Sequence, residues 1–245
     1  MRNHEYYDRL AETRWGRYIT DFERRAILAS HEMCDAPSIA LDIGASGGRW
    51  SEFLSTLGWR MICTDVDPTS LDQCRIRLPQ ASCILVDHDD TALPCEKESV
   101  GLILCVEVFS VMPTDWFAAE AFRVLQPNGL IVGVFNNKLS WRGYLHHLTH
   151  SYRGVFDYYG NSYLHWKRRF QQIGFDIKHE EGLCWLPFSR NSDFAFLDFL
   201  TSLEYKTGLQ SLPALSPWIV FIAQKNSDYE HLRQVRAQPS SPPMR

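Results

Sequence analysis

Hydrophobic positions along the chain follow two rhythms, and the change between them comes near residue 38. Before it, Tyr7, Leu10, Arg14, Tyr18, Phe22 and Ile27 recur every three to five residues, the spacing of an amphipathic helix or helix pair over about 5–33. After it, the short apolar run Ser38-Ile39-Ala40-Leu41-Asp42-Ile43 breaks at Gly44, and helical spacing resumes at Trp50, Phe53 and Leu54. The order is strand, glycine turn, helix.

That unit repeats. Residues 60–64 read as a strand ending at Asp65, 68–77 as a helix, and 82–86 as a strand that runs into Asp87, Asp89 and Asp90. A fourth strand over 101–106 follows Leu93-Pro94. Helix 115–125 then leads through the turn Gln126-Pro127-Asn128-Gly129 into a fifth strand over 130–135. Strands that alternate with helices predict an α/β fold with a parallel sheet and right-handed crossovers. Ligands of such sheets bind outside the carboxyl ends of the strands.

Beyond residue 136 the pattern is helical but aromatic and basic, with Lys138, Arg142, Arg153, Lys167, Arg168 and Arg169 against the single acid Asp157 up to residue 172. Later strands are predicted over 174–178 and 218–223, with an aromatic stretch of about 183–200 between them. The expected organisation is an N-terminal helical segment (1–35), a main domain (36–225) carrying a helical insert (136–172), and a disordered polar tail (226–245).

Composition narrows the class. The chain has 245 residues, 45% of them hydrophobic, and a formal net charge of -4, which excludes collagen-like and wholly disordered chains and allows a core with no covalent staple. The longest apolar runs, at 102–106 and 130–134, fall far short of the roughly 18 residues of a membrane span. No secretory leader is visible in the first eight residues, so a cytoplasmic protein is expected. The seven cysteines contain no Cys-x-x-Cys pair; Cys63, Cys83 and Cys105 read as small buried hydrophobes, and no metal is expected.

The chemistry concentrates at the strand ends. In Leu41-Asp42-Ile43-Gly44-Ala45-Ser46-Gly47-Gly48-Arg49-Trp50 an acid precedes a glycine turn whose backbone a ligand can approach closely. Counting from Gly44, the dinucleotide pattern Gly-x-Gly-x-x-Gly fails at Ser46 and Arg49, and a P-loop Gly-Lys-Ser/Thr is absent. Asp42 would repel a phosphate and attract an ammonium or sulfonium cation. Asp65 stands where a carboxylate can accept from both hydroxyls of a ribose, and Asp89 or Asp90 where one can accept from an adenine amine. Each acid alone could equally be a solvated loop residue or a helix cap. Together they match S-adenosylmethionine.

With these residues assembled, the chain resembles a class I S-adenosylmethionine-dependent methyltransferase of the small-molecule, type 11-like kind. The family's Asp-x-Gly-x-Gly-x-Gly is met by Asp42, Gly44 and Gly48, with Ser46 in place of the middle glycine. Its later motifs are met by Asp65 in Thr64-Asp65-Val66-Asp67-Pro68, by Asp89-Asp90-Thr91-Ala92-Leu93-Pro94, by Cys105-Val106-Glu107-Val108-Phe109, and by Arg123-Val124-Leu125-Gln126-Pro127-Asn128-Gly129. The resemblance covers about 38–136. It implies a Rossmann-like, seven-stranded, mostly parallel sheet of order 3-2-1-4-5-7-6 with helices on both faces and a helical substrate lid after the fifth strand. It also implies a cofactor set of Asp42, Gly44, Ala45, Ser46, Gly48, Asp65, Val66, Asp89, Asp90 and Val106, with Asp87 as the alternative to Asp89 at the adenine.

Two departures bear on catalysis. Gly101 stands where relatives often carry aspartate, and Val111 where many carry a histidine, so that base is absent here. His146 and His147 in the insert are the candidate bases, with Glu107 another; ordinary surface histidines are the alternative reading. The basic insert fits an anionic small-molecule acceptor, and Trp141, Tyr144, Tyr152, Phe156, Tyr158, Tyr159 and Trp185 fit an aromatic one. The expected function is therefore methyl transfer to a small molecule, in a biosynthetic setting and without nucleic acid. The alternatives are an RNA methyltransferase that uses the basic segment as a phosphate track, and a non-catalytic cofactor-binding partner subunit.

Overall fold

The computed structural model describes residues 9–149 and 158–227. A single seven-stranded sheet runs in the order β3-β2-β1-β4-β5-β7-β6, as the resemblance implied. Its strands are β1 (Ile39–Ile43), β2 (Arg60–Asp65), β3 (Ser82–Leu85), β4 (Val100–Cys105), β5 (Leu125–Asn136), β6 (Phe175–Leu183) and β7 (Trp218–Lys225). The first five are parallel to one another, and β7 pairs antiparallel with both β5 and β6.

The helices are α1 (Arg14–Glu32), α2 (Arg49–Thr56), α3 (Pro68–Arg77), α4 (Asp115–Val124), α5 (Trp141–Thr149), α6 (Tyr163–Ile173) and α7 (Leu197–Lys206). Their starts follow from side-chain caps that satisfy otherwise orphaned amides. Thr13 accepts from the Gly16 amide, Asp67 from that of Thr69, and Thr114 from that of Phe117. Pro68 at the first turn of α3 loses no hydrogen bond there. Helix α6 stops at Gly174, whose φ of 115° an L side chain resists.

Every residue of β4 is buried, because both faces of a parallel sheet are covered. Leu102 and Leu104 face one core with Trp15, Ile19, Phe22 and Leu54, while Ile103 and Cys105 face the other with Phe117, Phe135, Trp166 and Phe170. Helix α1 thus belongs to the same folding unit as the sheet, its apolar stripe closing the first core.

Two elements differ from the pattern read in the sequence. Strand β5 begins at Leu125, ahead of the expected turn, because Leu125 already pairs with Val100 before the register shifts. Strand β6 extends to Leu183, since its whole length pairs with β7. The insert is built of α5 and α6, with 150–157 outside the described residues; Arg153, Tyr152 and Phe156 lie there, as does all but the start of the expected tail (228–245). Among the described residues, no helix is long and apolar enough to cross a membrane.

Candidate functional site

The glycine turn joins β1 to α2 across the carboxyl edge of the sheet. Gly44, Ser46 and Gly48 take φ values of 64°, 49° and 79°, so the chain reverses in left-handed conformations that two glycines make inexpensive. A Cβ on Gly44 would stand 2.7 Å from Val108 Cγ2, so the turn packs directly on the loop that leaves β4. The Ala45 amide donates to the Thr64 carbonyl at 2.9 Å, which fastens the turn to β2.

Asp42 lies beneath this turn, only 4% exposed. Ser51, in the first turn of α2, donates to its Oδ2 at 2.6 Å. Burial pushes the Asp42 carboxyl up to about 7; the Ser51 bond opposes that shift, the nearby Asp65 charge adds to it, and Arg49 opposes it. Asp42 thus links the end of β1 to the first turn of α2 through Ser51.

Asp65 ends β2 beside the turn. Its Oδ2 accepts from the Ser46 amide at 2.8 Å and its Oδ1 from the Asp67 amide at 2.9 Å. Each carboxylate oxygen keeps a second lone pair for a ligand hydroxyl. Val66, which follows, exposes 44% of its surface and offers an apolar face next to that carboxylate.

The acids after β3 form a compact exposed turn. Asp90 Oδ2 accepts from the Asp87 amide at 2.8 Å, and Asp87 Oδ1 from the Asp89 amide at 3.1 Å. The carboxylates that shape the turn are those of Asp87 and Asp90, which leaves Asp89 as the acid of this group whose side chain is aimed at neither amide.

The fourth strand exits through Val106 to Glu107, whose φ is 61°. Arg190, from the segment between β6 and α7, forms an ion pair with Glu107 and a second with Glu23 of α1 at 3.8 Å. Arg49 approaches Glu23 from the glycine-turn side at 3.5 Å. Glu23 is 1% exposed, and burial raises its pKa while Arg190 and then Arg49 hold it down. Sequence reasoning passed over Glu23 and Arg190. The signal for Glu23 was available, since it is a charged residue within the apolar stripe made by Ile19, Phe22, Ala26 and Ile27. None existed for Arg190.

Next to this exit Phe109, Pro113, Phe135, Asn136, Tyr158 and Asn161 line a small crevice. Phe109 packs edge-on against Tyr158 and Trp218, with centroids 6.2 and 5.2 Å away. His147 Nε2 donates to the Tyr159 carbonyl at 3.1 Å, and His146 lies 5.5 Å from the Tyr159 ring. The Trp218 indole donates to the Tyr159 hydroxyl at 3.2 Å. The two histidines are thus connected to the crevice through residues 158 and 159. Arg142 donates to the carbonyls of Leu186 and Phe188 and also acts on the Tyr159 hydroxyl. A larger cavity of about 300 Å³ lies between α1 and α7, lined by Arg17, Tyr18, Arg25 and Glu204 among others. None of the strand-end acids faces it.

The sheet order, the glycine turn and acids at the carboxyl ends of β1 and β2 define a class I methyltransferase fold. Residues 41–133 match the family described as "Methyltransferase domain". An uncharacterized methyltransferase-like protein of Schizosaccharomyces pombe is 33% identical over 107 residues, 43% of this chain and 41% of that one. An uncharacterized methyltransferase of Mycobacterium tuberculosis is 29% identical over 104 residues, 41% of this chain and 42% of that one. The matched region thus spans about two-fifths of these relatives' length. Among solved structures, an S-adenosylmethionine-dependent methyltransferase from Mesorhizobium loti superposes with a TM-score of 0.59 at 15% identity, covering 83% of this chain and 98% of that one. Geranyl diphosphate C-methyltransferase from Streptomyces coelicolor gives 0.56 at 12% identity, covering 83% and 79%. At these identities the structural likeness concerns the fold.

Proposed function

We propose that this protein binds S-adenosylmethionine at the carboxyl ends of β1–β3 and transfers its methyl group to a small-molecule acceptor. The observation that carries the reading is the pairing of Asp65 with the glycine turn, whose amides and close backbone approach suit the methionine and ribose parts of that cofactor. Asp42 and Ser51 would hold the turn, Gly44, Ala45, Ser46 and Gly48 would line it, and Asp65 would accept from the ribose hydroxyls. Val66 would face the adenine ring, Asp89 or Asp90 its amine, and Val106 the methionine part. When bound, the cofactor supplies a methyl on a sulfonium, which leaves as the sulfur loses its charge.

The work of the chain's own residues in such a reaction is alignment and exclusion of water, worth roughly 7 to 11 kcal/mol when complete. The crevice of Phe109, Phe135 and Tyr158 beside Asn136 and Asn161 favours an acceptor with an aromatic or apolar body and one polar handle. Glu107, His146 and His147 are the candidate bases on that side. His146 and His147 contact Tyr159, next to the Tyr158 that lines the crevice, so they position the acceptor wall and can take a proton only if α5 shifts toward it.

Calorimetric titration of S-adenosylmethionine and S-adenosylhomocysteine, with NAD as the control, tests the cofactor. Micromolar binding that is lost in Asp65→Ala supports the reading, and a folded wild type that binds neither compound overturns it. Acceptor-dependent formation of S-adenosylhomocysteine then separates an enzyme from a binding module, and sensitivity of that activity to RNase separates a small molecule from RNA.

A further inference from the structure

The β2–α3–β3 unit brings three cysteines together that are far apart in the sequence. Cys63 of β2 and Cys83 of β3 are register partners in the parallel ladder, so their side chains leave the same face of the sheet about 4.8 Å apart. Helix α3 crosses that face and turns Cys74, which is fully buried, toward them. The three sulfurs all lie within 4.8 Å of one another, and the Cys74 and Cys83 sulfurs are 3.7 Å apart. No Cys-x-x-Cys pair announces this cluster in the sequence; the crossover supplies the convergence.

We propose that Cys63, Cys74 and Cys83 form a three-thiolate site for a thiophilic divalent d10 cation of the zinc class. A cation bound at about 2.3 Å from each sulfur in tetrahedral geometry holds the sulfurs about 3.8 Å apart, close to the Cys74–Cys83 separation already present. Three thiols lose three protons to solvent as three metal–sulfur bonds form. The resulting site carries a net charge of -1. Arg75 lies alongside, its guanidinium donating to the Cys83 carbonyl at 3.2 Å, and it offsets that charge. Cys83 is half-buried on the edge strand, so an ion reaches the cluster from solvent without unfolding the core. A water, or the Ser51 hydroxyl that lies 3.2 Å from Cys63 Sγ, would complete the four-coordinate shell.

The site also touches the glycine turn. A Cβ on Gly48 would lie 2.7 Å from Cys74 Sγ, and Cys63 donates to the same Ser51 that holds Asp42. A bound cation would therefore brace both the start of α2 and the floor of the turn. This inference concerns metal uptake and stands whether or not the chain transfers methyl groups.

The test is titration of the reduced, chelator-stripped protein with Cd2+ and, in competition, Zn2+. One Cd2+ per chain with a sulfur-to-metal charge-transfer band in the ultraviolet is expected, together with a metal-dependent rise in melting temperature. Both should disappear in Cys83→Ser and persist in Cys95→Ser, whose half-buried thiol is outside the cluster. If Cys83→Ser does not fold, alkylation of the wild type serves instead, with one equivalent of metal expected to protect three thiols. Equal uptake by Cys83→Ser and wild type, absence of the band, or a Cys74–Cys83 disulfide whose reduction restores no uptake would each overturn the proposal.

Discussion

Asp65 Oδ2 accepts the Ser46 amide at 2.8 Å, so the acid that ends β2 is bonded to the middle of the turn that leaves β1. The relationship explains how Ser46, at the place of the middle glycine in the motif pattern, holds a φ of 49°. A charge-assisted bond from its own amide keeps that amide out of competition with solvent. Asp65→Ala removes this bond together with the proposed ribose contact. Hydrogen bonds to a charged group are worth about 1.5–3 kcal/mol, so affinity for S-adenosylmethionine should fall at least tenfold in calorimetry while circular dichroism is unchanged. An unchanged Kd would show that Asp65 shapes the loop without touching the ligand.

Gly44 should not tolerate a side chain. Its φ of 64° and the 2.7 Å approach of Val108 Cγ2 to an added Cβ act together. Left-handed strain costs of order 1–3 kcal/mol, and the overlap adds to it. Gly44→Ala should lower the urea midpoint, and Val108→Ala in the same chain should restore part of the loss. No recovery in the double variant would place the cost in the backbone alone.

Asp42 introduces a pH dependence whose sign is set by burial. Its folded pKa of about 7 stands above that of an unfolded aspartate. Between those values the native state binds more protons than the unfolded one, so stability from this group declines as pH rises from about 4 to about 7 and stays low above it. Asp42→Asn keeps an acceptor for Ser51 and removes the charge. Its stability relative to wild type should improve from pH 5 to pH 8 by an amount of order a few kcal/mol, read from urea unfolding at the two values. A constant difference would contradict the shift.

Arg190 balances two carboxylates, Glu23 at 1% exposure and Glu107 at the exit of β4. Removing one partner of a buried pair leaves an uncompensated charge, a loss of about 3–5 kcal/mol. Arg190→Ala should be destabilised on that scale, and Glu23→Gln added to it should recover stability. Additive losses in the double variant would mean that Arg49, 3.5 Å from Glu23, already neutralises that acid by itself.

Much of this architecture is legible without coordinates. The alternation of short apolar runs with helical spacing, Gly44 after Ile43, Thr114 ahead of Asp115 and Gly174 after Ile173 are local signals, and each marks an element boundary within a few residues. The strand order came from the motif resemblance rather than from periodicity. The ends of β5 and β6 were misjudged because pairing partners, Val100 for Leu125 and β7 for β6, decide how far a strand runs.

The α/β alternation, the glycine turn and the acids set at successive strand ends are written in local residue order, because periodicity, turn conformation and strand polarity are short-range properties. Packing of the whole chain is what buries Asp42 under the turn, brings Glu23, Arg190 and Glu107 together, and converges Cys63, Cys74 and Cys83 on one face. Those meetings depend on which strands become neighbours and which helix covers them. The total free energy of packing selects that arrangement, and no segment encodes it alone.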